Sequence, residues 1–416
     1  MIRRTFMTSI GSAAILDLMP ATASASKRLP SFSVQTLTSG PKHHFFGYYG
    51  ITPWNRAGTA MVCLESDFQD HLPKPHEKAS IGLVDPASGK FRPVAETHAW
   101  NLQQGTMLHW NPLNPDTEIL YNDRRGKKII SVILDITTGR KREMPRAING
   151  VSRSGRYAVC LDYGRLRRMR PVVGYVGAED PNPTVAHPDN DGVFVMDLAT
   201  GETRLIVSIG EVYRRLVKRH PELQERHMWF NHTVVNKNDT RLFFLARCWT
   251  PPPKVDLESA MFTIGLDGSG LREVVPFGRG VSHFEWRNNT QIIATFRMDG
   301  PHKEHVMFTD GKSDYEVIGK DFFKGDGHCS VAPDQNWMVT DGAHASKLEK
   351  SLLIYNLAEK HGVELGRFPM GEKKYFTGDV RCDLHPRWNR TGDQICIDAL
   401  ELANWTRQLH VARLNF

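Results

Sequence analysis

The sequence predicts an all-β protein, a seven-bladed β-propeller of four-stranded antiparallel blades. Three observations predict it. An apolar strand, a polar turn with Asn, Asp or Gly, and a second apolar strand recur seven times along 416 residues. A second hairpin with its own Asp- or Asn-led turn follows most copies, which makes four strands per repeat. One stretch, 209–220, departs from the pattern with helical spacing of its apolar residues.

The repeats fall at 47–64, 106–121, 148–161, 232–245, 283–296, 328–340 and 383–397. The second hairpins turn at 85–89, 135–139, 197–201 and 267–270, with weaker turns at 310–311 and 356–357. Asp and Gly there supply the local hydrogen bonds and positive φ of tight turns. The seventh repeat ends after one further strand, 408–414, so an early strand at 32–37 is expected to complete it and close the ring. The Pro-, Gly- and Asp-rich stretch 165–191 reads as a long excursion over one face, and loops of that kind often carry function.

The first residues read as an export signal. Arg3 and Arg4 precede Phe6 and a weakly apolar stretch, and Ala23-Ser24-Ala25 is a cleavage site, so 1–25 is a twin-arginine-like signal. Residues 26–416 are then one propeller domain, periplasmic or secreted and exported folded. No apolar run is long enough for a membrane span. The net charge of +7 suits an acidic partner such as a uronate glycan. No basic run is interleaved with aromatics, so nucleic acid is not expected as a partner. The six cysteines form no C-x-x-C pair; Cys63, Cys160 and Cys396 lie in apolar strands and read as core.

Histidine carries the chemistry. His232, His283, His328 and His385 each stand three residues before a Val or Trp on the first strand of successive repeats. The first strand of a blade lines the channel, so equal register puts four imidazoles at one depth. Asp326 and Asp383 share the faces of His328 and His385. Imidazoles with a carboxylate or water suit a divalent metal such as Mn or Ca, with His283, His328 and His385 as its ligands. The alternative is four histidines that hydrogen-bond across the channel or to substrate. His43, His44, Tyr48 and Tyr49 form a second cluster in the first repeat. There His43, His44 and Tyr49 are candidates for proton transfer, and Tyr48 for stacking on a sugar. Gln104 could hydrogen-bond a ligand, and Arg165, Arg170, Arg247 and Arg381 could hold its carboxylates. There is no G-x-S-x-G elbow, no P-loop and no H-E-x-x-H.

With their seven repeats and export signal, these residues resemble the oligogalacturonate lyases and related propeller polysaccharide lyases. The match rests on His232 in FNHTVVN, His283 in SHFEW and His328 in DGHCSVAPD. The resemblance implies that His232 is the base and that His283 and His328 bind manganese. The family places a Gln and two closely spaced His on one strand, where this chain has only His328; His385 of the next repeat is the substitute. Other propeller enzymes cleave rhamnose–glucuronate linkages with a His near the first blade, a placement similar to His43 or His44. The expected activity is therefore β-elimination on uronic-acid glycans. The alternatives are a hydrolase of terminal rhamnose–uronate linkages and a propeller that only binds glycan or protein.

Overall fold

A computed structural model describes residues 29–253 and 255–416; the export signal read at 1–25 lies outside the described residues. Among the described residues the strands form seven antiparallel sheets of four. Each runs outward from a short strand at the channel to an edge at the rim. Blade 1 comprises His43–Phe45, Met61–Ser66, Ala79–Val84 and Phe91–Thr97. In blades 2 to 7 the innermost strands are His109–Trp110, Ile148–Val151, Trp229–Val235, Phe284–Trp286, Ser330–Val331 and Arg387–Trp388. Middle strands such as Arg241–Trp249 are buried almost throughout, whereas the outer Phe91–Thr97 is largely open to solvent.

The local chemistry repeats with the fold. In the turns after Val84, before Thr137, after Met196 and after Tyr355, an Asp or Asn accepts two successive backbone N–H groups. The acceptors are Asp85, Asp135, Asp197 and Asn356, at 2.8–3.1 Å. Neighbouring blades are locked by tryptophan. Trp110, Trp286 and Trp388 donate their indole N–H to carbonyls of the preceding blade at Pro53, Val234 and Ser330.

The ring closes by strand exchange, as expected. Ser31–Thr36 pairs antiparallel with Arg407–Asn415 and is the outer strand of blade 7. The helix expected at 209–220 spans Ile209–Leu216, capped by the Ser208 hydroxyl on Glu211 N. The excursion from 165 is not all loop: Tyr163–Met169 is a helix, started by the Asp162 carboxylate on Arg165 N and stopped before Pro171. Seven residues are too few to show a helical period among so many prolines and glycines. All six cysteines are buried and unpaired. No helix among the described residues is long and apolar enough to cross a membrane.

One buried charge group ties the closure together. Asp398, on the strand Gln394–Leu400, is fully buried between Arg387 and Arg407. It also accepts the backbone N–H groups of Phe46 and Gly47 at 3.2 and 2.9 Å. Arg387 and Arg407 then donate to the carbonyls of Tyr48 and Leu102. Gly47 (φ +86°) packs so close to Gly105 that a Cβ would stand 2.5 Å from its nitrogen. Asp398→Ala leaves two buried guanidiniums without a counter-charge, so a loss of about 3–5 kcal/mol is expected in urea unfolding. A loss below about 1 kcal/mol would contradict the assignment.

Candidate active site

His283, His328 and His385 stand just ahead of the innermost strands of blades 5, 6 and 7, and His232 lies within that of blade 4. Equal register therefore delivers all four rings to one end of the channel, around a cavity of about 70 Å³. The His283 and His328 ring centres are 3.7 Å apart and those of His328 and His385 4.3 Å. The Tyr49 ring closes the floor, 5.0 Å from His328 and 6.0 Å from His283 and His385. Two of the four histidines hold left-handed backbone, His232 at φ +56° and His385 at +45°. For His232 the cause is a bulge between Asn231 and Val234.

Carboxylates orient two of the rings. Asp326 accepts from His283 Nδ1 at 2.8 Å and is itself held by Lys303 at 2.7 Å. Asp341 accepts from His328 Nδ1 at 2.9–3.0 Å. Both histidines are left with Nε2 free, the arrangement of a metal-ligating imidazole backed by an acid. His385 Nδ1 is buried with no partner. Burial pushes the His283 imidazole down to about 4 and holds His385 well below its ordinary value, so these rings are neutral and able to ligate.

His328, Asp383 and His385 offer ligand atoms within 4.8 Å of one another. Asp383 is already engaged, by Lys350 at 2.9 Å and Arg381 at 2.6 Å. His328 and His385 with Asp383 are the set that could hold a divalent cation, and His283 stands beside His328 outside that set. Asp326 turns out to serve His283 on the neighbouring strand rather than His328 on its own.

The other side of the cavity is hydrogen-bonding and cationic. Tyr48 Oη lies 2.9 Å from His232 Nδ1, with the two rings stacked, and Gln104 Nε2 lies 3.5 Å from the same nitrogen. Arg170 and Arg247 face the cavity without a carboxylate partner. Burial, reinforced by the neighbouring guanidinium, brings Arg247 down to about 9; burial and nearby Arg381 bring Arg170 to about 10. Arg381 lines the rim, committed to Asp383 and the Gly378 carbonyl.

Three expected residues lie elsewhere. His43 Nδ1 accepts from Arg407 N, and His44 bonds Gln408 and Glu65, so both sit in the seam between blades 1 and 7. The innermost strand of blade 1 ends before the chain turns into the channel, and the turn delivers Tyr48 and Tyr49 instead. Arg165 is buried in a cage of carbonyls from Met228, Val185 and Ala186, where it anchors the excursion. Asp341 and Lys303 were not foreseen. They reach the histidines across strands, and no spacing along one strand marks such a pair.

No family model and no curated protein sequence matches this chain. Solved structures do match. An oligogalacturonate lyase from Vibrio parahaemolyticus superposes with a TM-score of 0.62 at 13% identity, over 93% of this chain and 97% of that one. The β-propeller domain of the Trilobed protease from Pyrococcus furiosus gives 0.48 at 9% identity, over 92% and 93%. A prolyl endopeptidase gives 0.47 at 9% identity, over 93% of this chain and 50% of that one. At these identities the likeness is one of fold.

Dialysis against Mn²⁺ or Ca²⁺ followed by elemental analysis should find one ion per chain. The double substitution His328→Ala with His385→Ala should abolish it, and Asp341→Asn should weaken it about 10–100-fold. Equal metal content in the double variant would refute the site.

Proposed function

We infer that the protein is a polysaccharide lyase that cleaves uronic-acid glycans by β-elimination. The observation that carries this reading is the composition of one cavity: neutral imidazoles on one side and two guanidiniums without carboxylates on the other. Buried guanidiniums are costly unless an anion joins them, and the carboxylate of a uronate is such an anion. A divalent cation on His328, Asp383 and His385 would supply positive charge against the same carboxylate as the adjacent carbon becomes anionic.

The protein's own groups provide the proton steps. With Nδ1–H donating to Tyr48 Oη, His232 presents a free Nε2 lone pair to take the α-proton. Burial raises the Tyr49 phenol well above its ordinary value, so it stays protonated and can give a proton to the leaving oxygen. Arg170 and Arg247 hold the carboxylate in place and stabilise the enolate charge in a largely buried site. The C–H bond breaks toward His232, the new double bond forms in the ring, and the glycosidic oxygen leaves with the Tyr49 proton. With residues 1–25 read as a twin-arginine-like export signal, this reaction would run outside the cytoplasm. The hydrolase reading is less well supported, because His43 and His44 are engaged at the blade seam.

Incubation with a panel of uronate polysaccharides and oligosaccharides, with Mn²⁺ supplied, should produce the ultraviolet absorbance of an unsaturated uronate. New reducing ends without that absorbance would establish hydrolysis instead, and silence across the panel would favour a binding protein. His232→Ala should lower kcat by about 10²- to 10⁴-fold. The pH profile has a definite sign. Burial holds the His232 imidazole well below 6.5, so the base form persists as pH falls. The acid limb of kcat/KM should therefore lie below pH ~6.5, where a free imidazole would already be half protonated. An acid limb at or above that value would remove His232 from the role.

A further inference from the structure

The channel holds a second and larger chamber. Tyr48, Tyr49 and Phe284 form a septum, and the cavity on its far side has a volume of about 300 Å³. It opens at the other mouth, where the innermost strands end. Its charged residues come from four blades: Arg153, Lys237, Arg390 and Glu285. Among the described residues, Arg153 bonds only through its backbone N–H, to Asp239, and Lys237 and Glu285 feel each other's charge without a hydrogen bond. Arg390 has only a 3.3 Å bond to the Trp54 carbonyl. Asp116 and Asp334 act on this group from outside the lining.

The same protein shows what a structural arginine looks like. Arg387 and Arg407 are paired with Asp398, and Arg165 is caged by carbonyls. The far chamber instead gathers three cations, the half-buried Lys237 and the exposed Arg153 and Arg390, around one carboxylate at the wall of a cavity. Partial burial lowers Lys237 and raises Glu285, and the opposite charge each sets against the other offsets only part of that. Between the charges runs an apolar wall that includes Ile51, Val151, Val235, Val331 and Trp110. The volume is that of a small-molecule site.

We propose that this chamber is a second binding site, for a small organic anion with a flat uncharged body. Its carboxylate or phosphate head lies among Arg153, Lys237 and Arg390, and its body lies against the valine and tryptophan wall. Glu285 accepts a hydrogen bond from a hydroxyl of the ligand and disfavours a second negative group beside it. The site stands on the far side of the septum from the histidines, so it does not depend on the lyase reading.

Titration calorimetry of the full chain with benzoate, phenyl phosphate and inorganic phosphate tests it. At least one of the two aryl anions should bind with one ion per chain, and the comparison between them identifies the head group. Inorganic phosphate should bind about tenfold more weakly or not at all, because it forgoes the apolar wall. Arg153→Gln with Lys237→Gln should raise the Kd of the aryl anion at least about tenfold. Lys237→Gln alone, a smaller disturbance, should weaken binding in the same direction, and thermal melting reports whether either variant is folded. His328→Ala should leave the Kd unchanged. The proposal is overturned if neither aryl anion binds. It is also overturned if folded double variant binds as well as the parent, or if His328→Ala removes the binding.

Discussion

The structure depends on a single carboxylate placed between two guanidiniums in the dry seam where the ring closes. Asp398 faces Arg387 and Arg407 with no solvent exposure on any of the three beyond a trace. Removing three charges from water is costly, and only a dense set of charge-assisted bonds offsets it. Here the remaining lone pairs and N–H groups are used on backbone: Phe46 and Gly47 donate to the carboxylate, and the carbonyls of Tyr48 and Leu102 accept from the arginines. Those contacts span blades 7, 1 and 2. The exchanged strand Ser31–Thr36 closes the sheet at the rim, and the charge group closes it at the channel. The second closure decides function, because it fixes the turn that carries Tyr48 and Tyr49 into the channel.

From that turn the rest of the site follows by symmetry. A propeller aligns the starts of its innermost strands around one mouth, so a histidine repeated at that position becomes a cluster without any long-range design. The Tyr48 and Tyr49 rings then close the channel beneath it and cover the imidazoles from that side. Burial keeps His232, His283 and His385 neutral, as ligation and proton abstraction both require. It also strengthens the pull of Arg170 and Arg247 on any anion that enters. Asp326 and Asp341 orient rings by accepting from their Nδ1 atoms, and the charge of Asp326 is offset by Lys303.

The fold was legible because its information is local. Each Asp-led turn and each pair of strands is marked within a few residues of sequence, and the strand missing from the seventh repeat is the one left over at 31–36. The histidine cluster was legible for a related reason: one register, copied four times, is a local signal with a global meaning in a ring. What escaped depends on contacts between strands or on the direction of a loop. His43 and His44 carry the right chemistry but precede the bend into the channel, so their rings fall in the seam. Arg165 lies five residues before Arg170, yet one is caged by carbonyls and the other faces the cavity, a difference set by the short helix Tyr163–Met169. Asp341 reaches His328 from the adjacent strand, where nothing in its own sequence neighbourhood marks it.

The septum also constrains how a polymer could be handled. With Tyr48, Tyr49 and Phe284 between the two chambers, no chain threads the channel, and a glycan can reach the histidines from one side only. The cavity of about 70 Å³ there is well below the roughly 300 Å³ at which small-molecule pockets begin. It has room for a cation and a carboxylate but not for a run of sugar rings. The carboxylate end of the reacting uronate ring would thus be held at depth beside Tyr49 while neighbouring rings lie across the rim, against Val173 of the excursion and Leu257 of blade 4. Recognition in such a site divides in two: charge is read by buried residues that the ring fixes rigidly. Were the substrate a glycan, its ring identity and linkage would be read at the rim, where the excursion that carries Arg170 and Val173 meets Leu257 of blade 4.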